Sequence, residues 1–162
     1  MDPTHIEDII INCAVITVST SRDENSDISG KKIIKLLENA NLPVVFYKVI
    51  PDDLEKIQLV CKEALLSANC VILSGGTGLT HDDCTIEAIS PILDKKIDGF
   101  GELFRLKSYE DIGTRALLSR AVGGVIDKKA VFCIPGSTGA VTMALKDIII
   151  PEIRHILTHA GK

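Results

Sequence analysis

The sequence predicts an α/β fold with a mostly parallel sheet, because short apolar segments alternate with amphipathic helical patterns. Four predicted strands are rich in β-branched residues: Cys13–Val18, Val44–Ile50, and residues 71–73 and 130–134. Their apolar residues are nearly continuous rather than alternating, which is typical of strands covered on both faces. Strands that alternate with helices form right-handed βαβ units, so we expect a three-layer α/β/α sandwich.

Amphipathic helical patterns lie between the first three strands. Residues 31–40 and 54–68 place apolar side chains at intervals of three and four, which gives each segment one apolar face. Either Asp52 or Asp53 is a suitable N-cap for the second of these helices. Both segments are therefore predicted to be helices that pack on the sheet.

The second half of the chain has two longer helical patterns. We expect helices over residues 99–126, broken near Ser108 and Gly113. The last pattern, residues 139–159, contains Pro151, and proline fits best in the first turn of a helix. This segment is therefore predicted to be a kinked helix or two abutting helices.

Length and charge limit the classes of protein to consider. The chain has 162 residues, and 18 Lys and Arg against 22 Asp and Glu give a formal charge of −4. We expect one domain over residues 1–162, with residues 1–11 as a flexible N-terminal extension. The acidic balance argues against a nucleic-acid surface. No apolar stretch approaches the roughly 18 residues of a membrane-spanning helix, and the N-terminus lacks the basic start of a secretory signal.

The cysteines indicate a reducing compartment. There are five, an odd number, and no two of them have CxxC spacing. Neither a disulfide framework nor a zinc site follows from this arrangement. We therefore expect reduced cysteines in a cytoplasmic protein.

Two strand ends are rich in Gly, Ser and Thr. Residues 74–80 read SGGTGLT, and residues 135–139 read PGSTG. Ligands of parallel α/β sheets bind at the carboxyl ends of the strands, and glycines let backbone N–H groups approach an anion. Ordinary tight turns have a similar composition, but two such loops favour an anion site. The side-chain hydroxyls that can add donors belong to Ser74, Thr77, Ser137 and Thr138.

The common nucleotide-binding fingerprints are absent. No GxxxxGK[ST] sequence occurs, and His81 stands where a GxGxxG motif beginning at Gly76 requires its last glycine. Any phosphate site in this chain therefore uses a different kind of loop.

Paired carboxylates follow two of the strands. Asp52 and Asp53 follow one strand, and Asp82 and Asp83 lie within ten residues of another. Bare carboxylates would repel a phosphate, and a Mg²⁺ ion between them removes that repulsion. Helix capping is the alternative explanation for each pair. Two pairs at strand ends favour a metal–phosphate site.

The histidines add little to this prediction. His81 lies in a loop, where an exposed side chain is the common case. His155 and His159 have i, i+4 spacing on a helix, but no third ligand lies nearby in the sequence. We interpret them as solvated or partner-facing.

A longer pattern extends through nearly the whole chain from about residue 13. Residues 75–85 read GGTG-x4-D-x-T, and Ile50-Pro51-Asp52-Asp53 and the STSR of residues 19–22 lie upstream. Further segments are GFGELFR at residues 99–105, SRA at 119–121 and PGSTGA at 135–140. Together these segments resemble the MoaB/MogA family of molybdenum cofactor biosynthesis proteins. The GFGELFR and PGSTGA segments are more similar to the MoaB branch.

This resemblance implies a single molybdopterin-binding domain that assembles as a homotrimer or homohexamer. Active members of the family are molybdopterin adenylyltransferases. With Mg²⁺, they join AMP from ATP to the terminal phosphate of molybdopterin and release pyrophosphate. The adenylylated pterin is then the substrate of a downstream molybdate-insertion protein.

The resemblance also implies roles for individual residues. Asp52 and Asp83 match the two essential aspartates of the family, and we predict that they are catalytic and bind the metal. The predicted substrate-binding residues are Ser19, Ser74, Gly75, Gly76, Thr77, Gly78, Thr85, Glu102, Ser108, Pro135, Gly136 and Ser137.

One departure from the family pattern leaves an alternative open. Many active members carry Arg directly before the second aspartate, where this chain has Asp82, although Asp83 and Thr85 are retained. The alternative is a molybdopterin-binding protein that has lost adenylyl transfer. A nucleotide-metabolising relative of the CinA type is a third reading, which the length of 162 residues disfavours.

Overall fold

The computed structural model describes residues 6–162, which form a six-stranded sheet between two layers of helices. The strands are β1 (Cys13–Val18), β2 (Val44–Ile50), β3 (Cys70–Ser74), β4 (Lys95–Lys96), β5 (Val122–Ile126) and β6 (Lys129–Ile134). The strand order is β2-β1-β3-β6-β5-β4, in which the first four strands are parallel and β5 is antiparallel to both of its neighbours. The helices are α1 (Ile28–Asn39), α2 (Leu54–Ala64), α3 (Thr85–Ile89), α4 (Asp98–Ile112), α5 (Thr138–Met143) and α6 (Ile150–Ala160). The predicted mostly parallel α/β sheet is confirmed.

The central strands are covered on both faces. Every residue of β1 and β3 is buried, which explains why their sequences are continuously apolar. Successive side chains point to opposite faces, so Val15 enters one hydrophobic core and Ile16 enters the other. Residues of α1, α4, α5 and α6 contribute to the first core, and residues of α2 and α3 to the second. The three-layer arrangement therefore follows from two apolar faces that each need a cover.

Aspartate side chains decide where the first two helices begin. The Asp27 carboxylate accepts a hydrogen bond from Gly30 N at 2.9 Å, so α1 begins three residues earlier than the apolar pattern predicts. The Asp53 carboxylate accepts from Lys56 N at 2.9 Å and caps α2. Asp53 is therefore the N-cap, and the neighbouring Asp52 carboxylate is available for another role.

The prediction of helices as far as residue 126 is wrong. Helix α4 runs without a break through Ser108 to Ile112, and only the predicted break at Gly113 is confirmed. After a 3₁₀ turn, β5 pairs with β6 through a two-residue turn in which Asp127 and Lys128 have φ angles of 48° and 65°. This geometry is that of a type I′ hairpin turn, which usually contains Gly or Asn-Gly. Because neither central residue is Gly, the sequence carries no such signal.

The predicted interruption near Pro151 is a π-helical turn that precedes it. Helix α5 continues through a π-helical turn over Ala144–Ile149 directly into α6, and Pro151 lies in the first turn of α6. Proline has no N–H to donate, and a local change of helical hydrogen bonding accommodates it. The segment therefore consists of two helices that abut.

Part of the predicted N-terminal extension lies along α6. Residues 1–5 fall outside the described residues, and residues 6–12 have no regular secondary structure. Glu7 N donates to Thr158 Oγ1 at 3.0 Å, and Arg154 Nη1 donates to Ile9 O at 2.7 Å. The flexibility of this segment stays a prediction.

Candidate functional site

Four loops meet at one edge of the sheet because β2, β1, β3 and β6 are parallel and adjacent. Ser19 N donates to Ile50 O at 2.8 Å, and Gly75 N donates to Ile134 O at 3.0 Å. The loops after β1 and β2 are thus joined to each other, as are the loops after β3 and β6. The two Gly-rich segments and the Asp52–Asp53 pair therefore lie at the same edge, as the strand order requires.

The loop after β3 is shaped by two glycines in the left-handed region. Gly75 has φ +92° and Gly76 has φ +67°. A β-carbon at Gly75 would lie 2.4 Å from Val18 O, and one at Gly76 would lie 2.4 Å from Thr85 Oγ1. Both positions thus require glycine for conformation and for space.

Backbone donors of this loop are free to bind an anion. Within residues 6–162, the N–H groups of residues 76–79 have no hydrogen-bond acceptor in the protein. Thr80 N, which follows them, donates to Asp83 Oδ2 at 3.2 Å. Consecutive N–H groups without acceptors in a loop of left-handed glycines form the kind of concavity that binds phosphate.

Thr85 holds the loop together. Its side chain is fully buried, its Oγ1 donates to Gly75 O at 2.8 Å, and its N–H donates to Gly76 O at 3.0 Å. These two bonds turn the loop carbonyls toward the start of α3. The direct contact that Thr85 makes in the protein is therefore with the loop, and its predicted contact with substrate is untested.

Asp52 and Asp83 border the same loop. Asp52 Oδ2 accepts from Thr20 Oγ1 at 2.8 Å, and its Oδ1 lies 3.0 Å from the position of a β-carbon on Gly76. Asp83 Oδ2 accepts from Thr80 Oγ1 at 2.7 Å and lies 2.7 Å from the position of a β-carbon on Gly78. Asp52 and Asp83 thus lie beside glycines that are two residues apart in the same loop.

The Cys84 thiol lies close enough to several carboxylates for their charges to affect its pKa. Partial burial raises the pKa of the Cys84 thiol, and the negative charges of Asp52, Glu87, Asp53 and Asp83 raise it further. Glu87 is paired with Arg120 and Asp53 caps α2, so Asp52 and Asp83 are the carboxylates of this group that remain for a cation.

The donor set suits Mg²⁺ better than a transition metal. Within residues 6–162, no group of three His, Cys, Asp or Glu side chains is arranged to hold a metal ion alone. Mg²⁺ is typically bound by one or two carboxylates together with phosphate oxygens and water. Asp52 and Asp83 make no salt bridge with another residue between 6 and 162, so both charges are available.

Ser74 lines a cavity with an unsatisfied hydroxyl. Its side chain is fully buried, and its Oγ has no hydrogen-bond partner within the described chain. Leaving a buried hydroxyl unpaired costs about 1–3 kcal/mol, so a ligand atom that pairs with it would be favoured. The cavity has a volume of about 300 Å³, and the predicted site residues that line it are Ser19, Ser74, Gly75, Gly136 and Ser137.

A second cavity adjoins the loop after β6. It has a volume of about 420 Å³, and Ser108 from α4 lines it together with Pro135 and Ser137. Ser137 lines both cavities, and its Oγ also accepts from Ala140 N at 3.2 Å and caps α5. The predicted substrate-binding residues Ser108, Pro135 and Ser137 are therefore neighbours.

Three residues considered in the sequence analysis are exposed: Glu102, His81 and Asp82. Glu102 is exposed on α4 and lines neither of these two cavities, so its predicted contact with substrate is untested. His81 and Asp82 are also exposed, and within the described chain their side chains make no hydrogen bond.

Two features of the site have no simple signal in the sequence. Buried Asp27 accepts from Thr17 Oγ1 at 2.7 Å and from the Tyr47 hydroxyl, and burial together with this bond raises the pKa of Tyr47. Arg120 donates to carbonyl oxygens of the loop after β3. Both join residues far apart in sequence, so among the segments of the family resemblance only the SRA of residues 119–121 could have indicated one of them, the Arg120 contact.

The fold and the site define a class of protein: an α/β domain with a Gly-rich loop that is flanked by carboxylates at one edge of its sheet. Residues 14–155 match the family model described as "Probable molybdopterin binding domain". The chain belongs to the MoaB/MogA family of molybdenum cofactor biosynthesis proteins.

Similar proteins agree over nearly the full length. Molybdenum cofactor biosynthesis protein B of Bacillus cereus is 47% identical over 153 residues, which cover 90% of this chain and 88% of that protein. A crystal structure of a molybdenum cofactor biosynthesis protein B is 44% identical with a TM-score of 0.91, covering 96% of this chain and 98% of that one. The tungsten cofactor synthesizing protein MoaB from Pyrococcus furiosus is 41% identical with a TM-score of 0.87, covering 96% and 100%. The predicted similarity to the MoaB branch is confirmed.

None of the helices within residues 6–162 combines the length and the apolar character that crossing a bilayer requires.

Proposed function

We propose that this protein binds molybdopterin and, with Mg²⁺, adenylylates it from ATP, giving adenylyl-molybdopterin and pyrophosphate. The observation that carries the proposal is that Asp52 and Asp83 both border residues 75–78, whose N–H groups from Gly76 onward have no acceptor in the described protein. Membership of a molybdopterin-binding family supports the choice of pterin as substrate.

The reaction needs positioning more than acid–base chemistry. A phosphate oxygen of molybdopterin, already ionised at neutral pH, attacks the α-phosphorus of ATP. The new P–O bond forms as the bond to the bridging oxygen breaks, and that electron pair leaves with pyrophosphate. Catalysis of such a transfer depends on alignment and on neutralisation of phosphate charge. This agrees with a site that offers free N–H groups and carboxylates within the described residues.

The chain's own residues divide this work. The free N–H groups of residues 76–79 and the buried Ser74 hydroxyl would bind phosphate oxygens. Asp52 and Asp83 would hold Mg²⁺, which supplies positive charge between the carboxylates and the phosphates. Thr20 and Thr80, which donate to these two carboxylates, keep them oriented. The cavity beside Ser108 and Pro135 would receive the pterin side of the substrate.

The decisive experiment is an incubation with molybdopterin, Mg²⁺ and labelled ATP, followed by product analysis. We expect adenylyl-molybdopterin and pyrophosphate from the wild-type protein. Asp83→Asn should abolish product while leaving the fold intact, because the amide removes the metal-binding charge. Asp82→Asn, in the same loop but exposed, is the matched control and should keep activity. Wild-type turnover in Asp83→Asn would contradict the proposed role.

The alternative is a molybdopterin-binding protein without adenylyl transfer. The observation that favours it is Asp82, an exposed anion directly before Asp83 where many active relatives carry Arg. This alternative predicts pterin affinity with no consumption of ATP, so the same incubation separates the two functions.

Self-association is a further part of the proposal. Large apolar side chains are exposed along α4 and the following turn, including Leu106 (56%), Tyr109 (57%) and Leu117 (84%). A homotrimer or homohexamer that covers this face would explain them. Sedimentation equilibrium should then give a mass of three or six chains, and Leu117→Asp should lower it.

The cellular setting of the proposal follows from the reaction. A product that carries a reactive phosphoanhydride would pass to a downstream molybdate-insertion protein. All five cysteines are free and four are buried, which agrees with the cytoplasm as the proposed location.

A further inference from the structure

Arg120 lies two residues before β5, and its side chain reaches the Gly-rich loop after β3. Its Nε donates to Thr77 O at 2.8 Å, and its Nη2 donates to Gly78 O at 3.0 Å. These partners are 43 and 42 residues away in sequence. One guanidinium group therefore holds two successive peptide units.

The same guanidinium is held by a carboxylate on α3. Arg120 Nη1 donates to Glu87 Oε2 at 2.8 Å, and Nη2 donates to Glu87 Oε1 at 2.9 Å. Paired bonds of this kind fix the plane of a guanidinium. This hydrogen bond also lowers the pKa of Glu87 and raises that of Arg120, so both groups stay charged at neutral pH. Arg120 thus ties the loop to α3 through a rigid fork.

Holding these carbonyls also orients the donors of the loop. In a trans peptide unit the C=O and N–H bonds point in opposite directions. With the Thr77 and Gly78 carbonyls directed at Arg120, the N–H groups of Gly78 and Leu79 point away from it. Neither N–H has an acceptor within the described residues. If either peptide unit rotated, a carbonyl dipole would replace a donor at the anion site.

We infer that Arg120 is a positioning residue that holds the Thr77 and Gly78 carbonyls and thereby aims the loop's N–H groups at the phosphate groups of the substrate. The identity of that phosphate ligand rests on the proposed function. The orientation of the loop does not depend on it. Lysine cannot replace arginine here, because an ammonium group has no planar fork to bond two carbonyls and a carboxylate together.

The test compares Arg120→Lys with a matched control. Arg154 also donates to a backbone carbonyl, that of Ile9 at 2.7 Å, and pairs with a carboxylate, but it lies on α6 away from the loop. Both contacts are made by Nη1, so Arg154→Lys measures the general effect of replacing a carbonyl-bound arginine with lysine away from the site. Glu87→Gln is a milder second variant that leaves Arg120 in place, in case Arg120→Lys does not fold.

Two readouts decide the inference. The first is the NMR order parameter of the Gly78 and Leu79 N–H groups in the protein without ligand. We expect about 0.85 in the wild type and below about 0.6 in Arg120→Lys, with Arg154→Lys unchanged. The second is the affinity for inorganic pyrophosphate with Mg²⁺, which should fall about tenfold in Arg120→Lys and less in Glu87→Gln.

Each outcome separates this inference from the proposed function. A rigid loop and unchanged pyrophosphate affinity in Arg120→Lys would overturn the positioning role, whatever the activity. Flexibility in the loop with weaker pyrophosphate binding supports the role even if the wild type transfers no adenylyl group. In that case only the proposed reaction fails. An equal loss in Arg154→Lys would show a general effect of lost stability and would also overturn the inference.

Discussion

Replacing Gly76 with alanine tests the geometry on which the candidate site depends. Gly76 has φ +67°, and an alanine β-carbon would lie 2.4 Å from Thr85 Oγ1, 3.0 Å from Asp52 Oδ1 and 3.2 Å from Val18 Cγ1. Thr85 cannot move away without losing its bonds to the Gly75 and Gly76 carbonyls. The substitution therefore strains the backbone and overfills the loop together.

The size of the effect can be worked from these contacts. Left-handed backbone costs a non-glycine residue roughly 1–2 kcal/mol, and overpacking a tight site costs about 1–3 kcal/mol. We expect Gly76→Ala to lower the free energy of unfolding by at least about 2 kcal/mol. In a chain of this size that is a fall in Tm of at least about 4 °C.

A matched alanine substitution is available in α4. A β-carbon at Gly99 would have no heavy atom within 4 Å, and this glycine does not have a positive φ. Gly99→Ala should be neutral or stabilising by up to about 1 kcal/mol, because alanine is the better helix former. The assay is denaturant and thermal unfolding of both variants, together with their affinity for pyrophosphate. The reasoning is refuted if Gly76→Ala is as stable as Gly99→Ala and binds pyrophosphate as the wild type does.

Three further predictions follow from single contacts. Ser74→Ala should leave unfolding stability unchanged or raise it by about 1 kcal/mol, because the hydroxyl is buried without a partner, yet it should weaken phosphate binding in a titration; a clear loss of stability would contradict this. Asp27→Ala should lower the free energy of unfolding by at least about 3 kcal/mol in denaturant titrations, because it removes the acceptor of Thr17, Gly30 and Tyr47. An unchanged free energy of unfolding would show that these three hydrogen bonds do not stabilise the fold. The Arg120 hydrogen bond lowers the pKa of Glu87, so its stabilising contribution is present above the unfolded pKa and is lost as pH falls through the folded pKa. The difference in unfolding free energy between wild type and Glu87→Gln should therefore shrink from neutral pH into the acid range, and a constant difference would count against the assignment.

The sequence by itself determined the central sheet and the place of the site. Strands β1, β3 and β6 could be predicted because burial on both faces leaves continuous apolar segments. Strand β2 was predicted from the same kind of segment, but it is an edge strand and most of it is only half-buried, so the prediction that it is covered on both faces is wrong. The parallel direction of these four strands follows from the helical patterns between them. Once the strands are parallel, their carboxyl ends share an edge, so Asp52 and the Gly-rich loops had to be neighbours. These are local patterns, or direct consequences of local patterns.

Tertiary structure decided what depends on contacts between distant residues. The predicted helix over residues 99–126 is wrong at β5 because the turn Asp127-Lys128 has no glycine to indicate a hairpin, and because pairing with β6 overrides local preference. Whether Asp52 or Asp53 caps α2 depends on where Thr20 lies, 32 residues earlier. The orphaned Ser74 hydroxyl and the Arg120 bonds to the loop after β3 are likewise set by packing. Packing brings together atoms whose separation along the chain leaves no periodic signal in the sequence.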